Sequence, residues 1–156
     1  MECYEGATMI KTFRGLIKDG AQDTIVLHTN DGSTGYRIVK FEVVHQNEVD
    51  DLSATINVFT VSQSAASFLI DFSDNTLLAA AAYRSDKVTT GLVDKTIIFD
   101  RMIFNQDIYV TYKDNESAGL KMNYYLELEQ VKLDLGENTV ATLKDIRNKG
   151  VRTLTT

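Results

Sequence analysis

Two histidines are the first side chains of this 156-residue sequence whose type could support chemistry. His28 and His45 both lie on segments that we predict to be strands. With Asp31 or Glu42 they could form a metal site or an acid–base pair. No metal-ligand spacing supports that arrangement, so we interpret both as surface or half-buried histidines. The sequence therefore predicts no metal site.

Two groups of carboxylates have spacings that known sites also use. Asp71 and Asp74 place oxygen ligands close together, but the regular D-x-D-x-D-G spacing of calcium loops is missing, and a turn held by Asx hydrogen bonds explains them. Glu127 and Glu129 lie about 6.5–7 Å apart on one strand face, within the range of inverting glycosidases. Because any strand with alternating glutamates has this geometry, we interpret them as solvated surface.

Motifs of catalysis are absent from the sequence. It contains no G-x-S-x-G, no Walker loop, no H-E-x-x-H and no G-x-G-x-x-G. We therefore expect a protein that is not an enzyme, with no catalytic residue, no cofactor and no small-molecule substrate.

Three tyrosines are the residues that we predict to form a contact surface. Tyr109 and Tyr125 fall on the polar side of alternating segments, and a hairpin between these segments would pair them. Tyr36 could join them. Tyrosine suits an interface because it buries a large area and keeps a polar tip. The alternative is that the other sheet or a helix simply covers this face.

The elements that must position these side chains are mainly β-strands. In Asp107–Leu135, apolar and polar residues alternate on both sides of a turn-rich break, as in strands with one buried and one wet face. We predict a β-hairpin in which Tyr112 faces Met122 and Lys113 faces Lys121. Beyond residue 128 the apolar set moves to odd positions, which indicates a β-bulge.

Further short strands are predicted upstream of this hairpin. They cover residues 8–18, 24–29, 35–45, 54–62, 76–83 and 95–104, with a hairpin turn at 30–33. Within 35–45, Val39, Phe41 and Val43 are expected on one face. Four alanines in 76–83 favour a helix by propensity, but the short length and the polar flanks favour a strand. Residues 63–71 have no clear pattern.

The C-terminal residues change in character. In 136–149 apolar residues recur every three positions, which predicts one short amphipathic helix that Asn138 can cap. Gly150 follows it, and 150–156 is a tail. About eight strands and one helix predict a single all-β domain over residues 1–156, a jelly-roll-like β-sandwich.

Composition excludes several classes of partner. The net charge of −6 and the scattered Lys and Arg argue against nucleic-acid binding. Cys3 is the only cysteine, so no disulfide forms within the chain, and the longest apolar stretch, 77–83, is far shorter than the ~20 residues of a membrane helix. Proline, a common blocker of sheet edges, is absent, which favours coverage of the edges by self-association or by a partner.

Three segments together resemble a known class of proteins. They are DTIVLHTNDGSTGYRIVKFEVV at 23–44, IIFDRMIFNQDIYVTYKD at 97–114 and NYYLELEQVKLDLGENTVATLKDIRN at 123–148. They resemble short structural proteins of marine tailed bacteriophages, and the similarity covers about the whole chain except 46–71. It implies a virion component, in particular a capsid decoration (cement) protein that clamps neighbouring major capsid subunits. It provides no site motif from which residue roles could be carried over.

The resemblance sets the expected partners and location. We expect the major capsid protein and copies of the chain itself, as a trimer, on the capsid surface after synthesis in the host cytoplasm. We expect no nucleic-acid and no membrane partner. The alternatives are a carbohydrate- or receptor-binding sandwich, and a tail or head–tail joining protein.

Overall fold

Eight β-strands in two antiparallel sheets make up the fold. The computed structural model describes residues 8–27, 33–47, 51–86, 91–116 and 120–133, and no helix occurs within these ranges. The strands are β1 (Ile10–Lys18), β2 (Gln22–Ile25), β3 (Thr34–His45), β4 (Leu52–Phe59), β5 (Leu77–Asp86), β6 (Leu92–Phe99), β7 (Ile108–Asp114) and β8 (Lys121–Lys132). The predicted all-β sandwich is confirmed. The predicted helix at 136–149 and the tail at 150–156 lie outside the described residues.

Apart from β6, the strand order is that of a jelly roll. One sheet has the order β1-β8-β3 and the other β2-β7-β4-β5-β6. The pairs β1–β8, β2–β7 and β4–β5 are nested along the chain, as in a jelly roll. β6 departs from this nesting because it pairs with β5 instead of β3. The chain after β6 meets β3 at a bridge between Tyr36 and Phe104.

The predicted hairpin between β7 and β8 is wrong, because the two strands lie in different sheets. Tyr112 pairs with Ile56 and not with Met122, and Lys113 is opposite Thr55 and not Lys121. The even-numbered apolar residues of both strands are nevertheless buried, as predicted. Alternation specifies which side of a strand faces the core, and both sheets of a sandwich face the same core.

Two further predictions about pairing also fail. β2 and β3 lie in different sheets, so they form no hairpin, and most of the turn predicted at 30–33 lies outside the described residues. The bulge is in β3 and not in β8, because the register shifts between Ile38 and Lys40. Ile38 and Phe41 are therefore both buried, and Val39 is exposed instead of sharing a face with Phe41.

The core lies between the sheets and is almost entirely aliphatic and aromatic. The alanine-rich segment is a strand, as predicted, and Ala79 and Ala81 pair with Val58 and Ile56 of β4. The largest fully buried side chains are Tyr112, Phe41, Ile17, Ile38, Leu52, Ile56, Leu78, Ile108, Met122, Leu126, Leu128 and Val43. Burial of such side chains is the main source of stability in a domain of this kind.

Candidate interaction surface

The three tyrosines predicted to share one surface lie in three different environments. Tyr36 points into the core and is only 2% exposed, and its hydroxyl is 3.3 Å from the Nζ of Lys11. Tyr109 is half-buried on the outer face of the five-stranded sheet, opposite Phe59 of β4. Tyr125 is half-buried on the outer face of the three-stranded sheet. The predicted pairing of Tyr109 with Tyr125 is therefore wrong, and Tyr36 is no surface residue.

Tyr125 lines a shallow groove on this outer face. Its hydroxyl donates a hydrogen bond to Oε1 of Glu127 at 2.7 Å, and Nζ of Lys40 lies 5.7 Å from the ring centroid. The groove has a volume of about 460 Å³ and is lined by Arg14, Gly15, Glu42, Val44, Asn123, Tyr124 and Tyr125. An aromatic ring surrounded by charged and amide groups is the chemistry that this face offers.

The carboxylates considered in the sequence are held by neighbouring side chains. Arg37 forms an ion pair with Glu129, which raises the pKa of the guanidinium through the hydrogen bond and the opposite charge. Asp71 Oδ1 accepts hydrogen bonds from the hydroxyl and the backbone N–H of Ser73, and these lower the pKa of the Asp71 carboxyl. Asp74 accepts two equivalent bonds from Thr76, so the predicted Asx turns are present.

His45 is a buried residue at the end of β3. Its ring stacks on Tyr83 with 5.8 Å between centroids, and its Nδ1 accepts a hydrogen bond from the backbone N–H of Asn47 at 3.1 Å. His28 lies outside the described residues, so the approach of the two histidines stays untested. Within the ranges that the structure describes, no group of three His, Cys, Asp or Glu side chains is placed to hold a metal ion.

The segment 60–76, which joins β4 to β5, exposes large apolar side chains. Phe68, Leu69 and Phe72 are 45%, 69% and 68% exposed, and we call these three residues the apolar ridge. Ile98 of β6 is 48% exposed and lines the same cavity as Phe72. Single exposed apolar residues are common on soluble proteins, but neighbouring ones of this size are typical of interaction sites.

Buried polar side chains hold the ridge in place. Nδ2 of Asn57 donates to the carbonyl of Leu69 at 3.1 Å, and Oγ1 of Thr55 donates to the carbonyl of Phe68 at 3.4 Å. Both polar residues are on the outer face of β4 and are nearly fully buried. Because the sheet engages the backbone of the segment through hydrogen bonds, the side chains of Phe68 and Leu69 remain exposed to solvent.

A cavity of about 270 Å³ adjoins the ridge at Phe72. It is lined by Phe72, Asp74, Asn75, Leu77, Leu78, Ala79, Ile98, Phe99, Asp100 and Met102. Most of these residues are apolar, two are carboxylates, and no Lys or Arg is among them. The cavity can accept an apolar side chain, and its charge favours a basic neighbour.

Sequence reasoning missed the ridge. Residues 63–71 have no periodicity, and burial of Asn57 and Thr55 depends on a segment that crosses them from elsewhere in the chain. One signal was available: Phe68-Leu69-Ile70 is an apolar triplet within a stretch of Ser, Ala and Asp that has no strand or helix pattern. An apolar triplet outside a regular element has no obvious place in the core.

Comparison with known proteins gives little on function. No protein-family model and no curated protein matches the chain. A solved structure described as "Bacillus endospore appendages form a novel family of disulfide-linked pili" is 9% identical, and the match covers 86% of this chain and 97% of that one. Its TM-score is 0.32. The described part of the chain contains no helix that is long and apolar enough to cross a membrane.

Proposed function

We propose that this chain is a non-enzymatic structural protein of a bacteriophage particle, specifically a decoration protein that stabilises contacts between major capsid subunits. The resemblance to phage virion proteins supports the proposal that the chain is a component of a phage particle. The apolar ridge carries the mode of action, because Phe68, Leu69 and Phe72 form a surface suited to binding another protein. A decoration protein works by association alone.

The energetics of association fit this role. Full burial of a Leu or Phe side chain contributes about 1.5–3 kcal/mol, so the ridge can form the centre of an interface. A stable interface buries about 1,200–2,000 Å² in total, which requires additional surface around the ridge. On a capsid, many copies bind side by side, and avidity strengthens contacts that are individually weak.

Co-sedimentation with capsids tests the proposal. The purified chain is mixed with capsids of the phage that carries it, and we expect saturable binding at a fixed ratio to the capsid subunit. The double variant Leu69→Ser with Phe72→Ser should bind at least about tenfold more weakly, because an interface loses its apolar centre. Val26→Ser with Val93→Ser, at two exposed apolar positions outside the ridge and the Tyr125 groove, is the matched control and should bind as the wild type does. Absence of binding at saturating concentrations would reject the decoration role.

The groove around Tyr125 favours a second candidate function, a carbohydrate- or receptor-binding module. Arg14, Glu42 and Asn123 surround the ring with groups that hydrogen-bond to hydroxyls. Binding on a glycan array that Tyr125→Ala abolishes would support this function, and a silent array would reject it. A tail or head–tail joining role belongs to the same structural class as decoration, and the symmetry of the assembly separates the two.

A further inference from the structure

β1 is the outer strand of the three-stranded sheet, and its charge is entirely basic. Lys11, Arg14 and Lys18 lie within it, and it contains no Asp or Glu. Lys11 approaches the hydroxyl of Tyr36. Arg14 and Lys18 are exposed and form no ion pair with any residue in the part of the chain that the structure describes. Their positive charge is therefore available to a partner.

Apolar side chains are exposed along the same strand. Met9, Ile10 and Leu16 are 57%, 46% and 41% exposed. Ile10 and Leu16 share the outward face with Arg14 and Lys18, since the intervening odd-numbered residues point toward the core. We call Met9, Ile10, Arg14, Leu16 and Lys18 the basic edge.

The basic edge and the apolar ridge are complementary in chemistry. Each has large exposed apolar side chains, and the ridge has carboxylates where the edge has cations. Asp71 lies within the ridge segment, and Asp74 and Asp100 line its cavity. Asp71 and Asp100 accept hydrogen bonds from the neutral donors Ser73 and the backbone N–H of Met102. Contact between the basic edges of two copies, or between their apolar ridges, would bring like charges together, which is unfavourable at an interface.

The two surfaces lie on opposite sides of the sandwich. β1 is at the edge of its sheet that contacts β2, and the ridge cavity is at the β5–β6 edge of the other sheet. A single partner copy therefore cannot use both surfaces at once. Contacts between unlike surfaces are heterologous, and they close into a ring or continue as a filament.

We infer that the basic edge of one copy docks on the apolar ridge and its cavity in a second copy, head to tail, and that the contact closes into a ring. The inference rests on the proposed function and assigns the ridge to the contact between copies on the particle, so that the ridge variant would lose capsid binding through lost avidity between copies. A ring of three copies would match the trimer that the resemblance implies. Each interface would bury apolar side chains at its centre and pair opposite charges at its rim.

Light scattering after size exclusion tests the inference with two variants of the full chain. The edge variant carries Arg14→Glu and Lys18→Glu, and the ridge variant carries Leu69→Ser and Phe72→Ser. All four positions are exposed, so the fold should tolerate the changes, and the melting temperature verifies it. Lys40→Glu with Arg84→Glu is the control, because it changes the net charge equally on exposed strand positions outside both surfaces.

The mixture of the two variants decides the geometry. We expect the wild type and the control to be closed oligomers, and each variant alone to be a monomer. An equimolar mixture should form a complex of two chains, because one intact ridge meets one intact edge and nothing further can add. A dimer of the edge variant alone would show ridge against ridge and overturn the inference. A monomeric wild type would also overturn it, and if that monomer still bound capsids the decoration function would stand.

Discussion

The outer faces of the two sheets use polar residues in opposite ways. On the three-stranded sheet, outward-facing polar residues remain at the surface and interact locally, as Arg37 does with Glu129. On the five-stranded sheet, Asn57 and Thr55 are buried beneath residues 60–76 and bind their backbone. The first face is the ordinary wet side of a sandwich. The second has polar groups inside and apolar groups outside, and the proposed interaction surface rests on this inversion.

The inversion has a simple physical cause. The outward positions of β4 that bind the segment, Thr55 and Asn57, carry polar side chains, so the segment does not pack its own apolar side chains on them. Hydrogen bonds from Nδ2 of Asn57 and Oγ1 of Thr55 to backbone carbonyls attach the segment to the sheet through its backbone and leave Phe68 and Leu69 directed away from the sheet. The fold therefore tolerates an exposed ridge that contributes little to its own core.

The largest effect is expected from the inner face that both sheets share. Leu126 is fully buried in the central strand of the three-stranded sheet, between Phe13 and Phe41. Leu126→Ala should lower the free energy of unfolding by about 2–5 kcal/mol, because it removes buried apolar surface and leaves a cavity. Denaturant titration measures the loss. Glu127→Ala, one residue further and on the outer face, is the control and should cost less than about 1 kcal/mol.

Alanine variants of two asparagines, one on each outer face, allow a direct comparison of the two faces. Asn57 is 1% exposed and bonds the ridge backbone, whereas Asn123 is exposed on the outer face of the other sheet. Asn57→Ala should cost about 1–3 kcal/mol, because the carbonyl of Leu69 loses its buried donor. Asn123→Ala should change stability by less than about 0.5 kcal/mol. Hydrogen exchange should show faster exchange in residues 60–76 of the Asn57 variant, and equal exchange in both variants would mean that Asn57 does not anchor the ridge.

The sequence predicted the inner face better than it predicted either the pairing or the site. Alternation placed Tyr112 and Leu128 in the core correctly, because period two follows from the strand backbone alone. The predicted pairing of β7 with β8 was wrong, because strands in a hairpin and strands in a nested jelly roll show the same alternation of apolar and polar residues. The bulge was assigned to β8, although a shift in relative register can equally arise from an extra residue, Val39, on the partner strand.

The candidate site was beyond local reasoning for a related reason. Tyr109 and Tyr125 both fall on outward positions, but outward of different sheets. The ridge depends on a contact between Asn57 and Leu69, which are twelve residues apart, and Leu69 lies outside any periodic segment. Phe68 is exposed because its segment contacts β4 through backbone carbonyls. The pattern of residues along the sequence carries no information on this contact.

Adjacent tyrosines on β8 extend the comparison to alkaline pH. Tyr124 is buried and its hydroxyl donates to Asp23 at 2.9 Å; burial first, and then this bond, raise the pKa of the phenol above its ordinary value. The pKa of Tyr112 is raised in the same way, by burial and by the hydrogen bond that its hydroxyl donates to Asp114. Because the folded state keeps these phenols protonated, their contribution is complete below the unfolded pKa of about 10 and is lost as the pH rises above it.

Tyr124→Phe isolates one part of this alkaline loss. At neutral pH the variant should be less stable by about 1 kcal/mol, because the hydrogen bond to Asp23 is missing. Above pH 10 the difference between wild type and variant should shrink, since the unfolded wild type gains a tyrosinate that the phenylalanine lacks. Tyr125→Phe, on the outer face, should differ from the wild type by less than about 0.5 kcal/mol at neutral pH. If the difference in free energy of unfolding between the wild type and Tyr124→Phe stayed constant up to pH 12, Tyr124 would not contribute to the alkaline loss of stability.

The smallest effect is expected at the ion pair of Arg37 and Glu129. Arg37 is half-buried, and its raised pKa keeps it protonated throughout the alkaline titration, so the pair does not contribute to the loss of stability above pH 10. Water still reaches the Arg37 side chain and screens the charges, and two long side chains lose freedom when they pair, so the net gain of such a surface pair is small. Arg37→Gln should therefore fall within the error of a denaturant titration, and any difference should shrink further with added salt. A loss as large as that of Asn57→Ala would mean that the wet face is as structural as the covered one, and the contrast between the two outer faces would no longer hold.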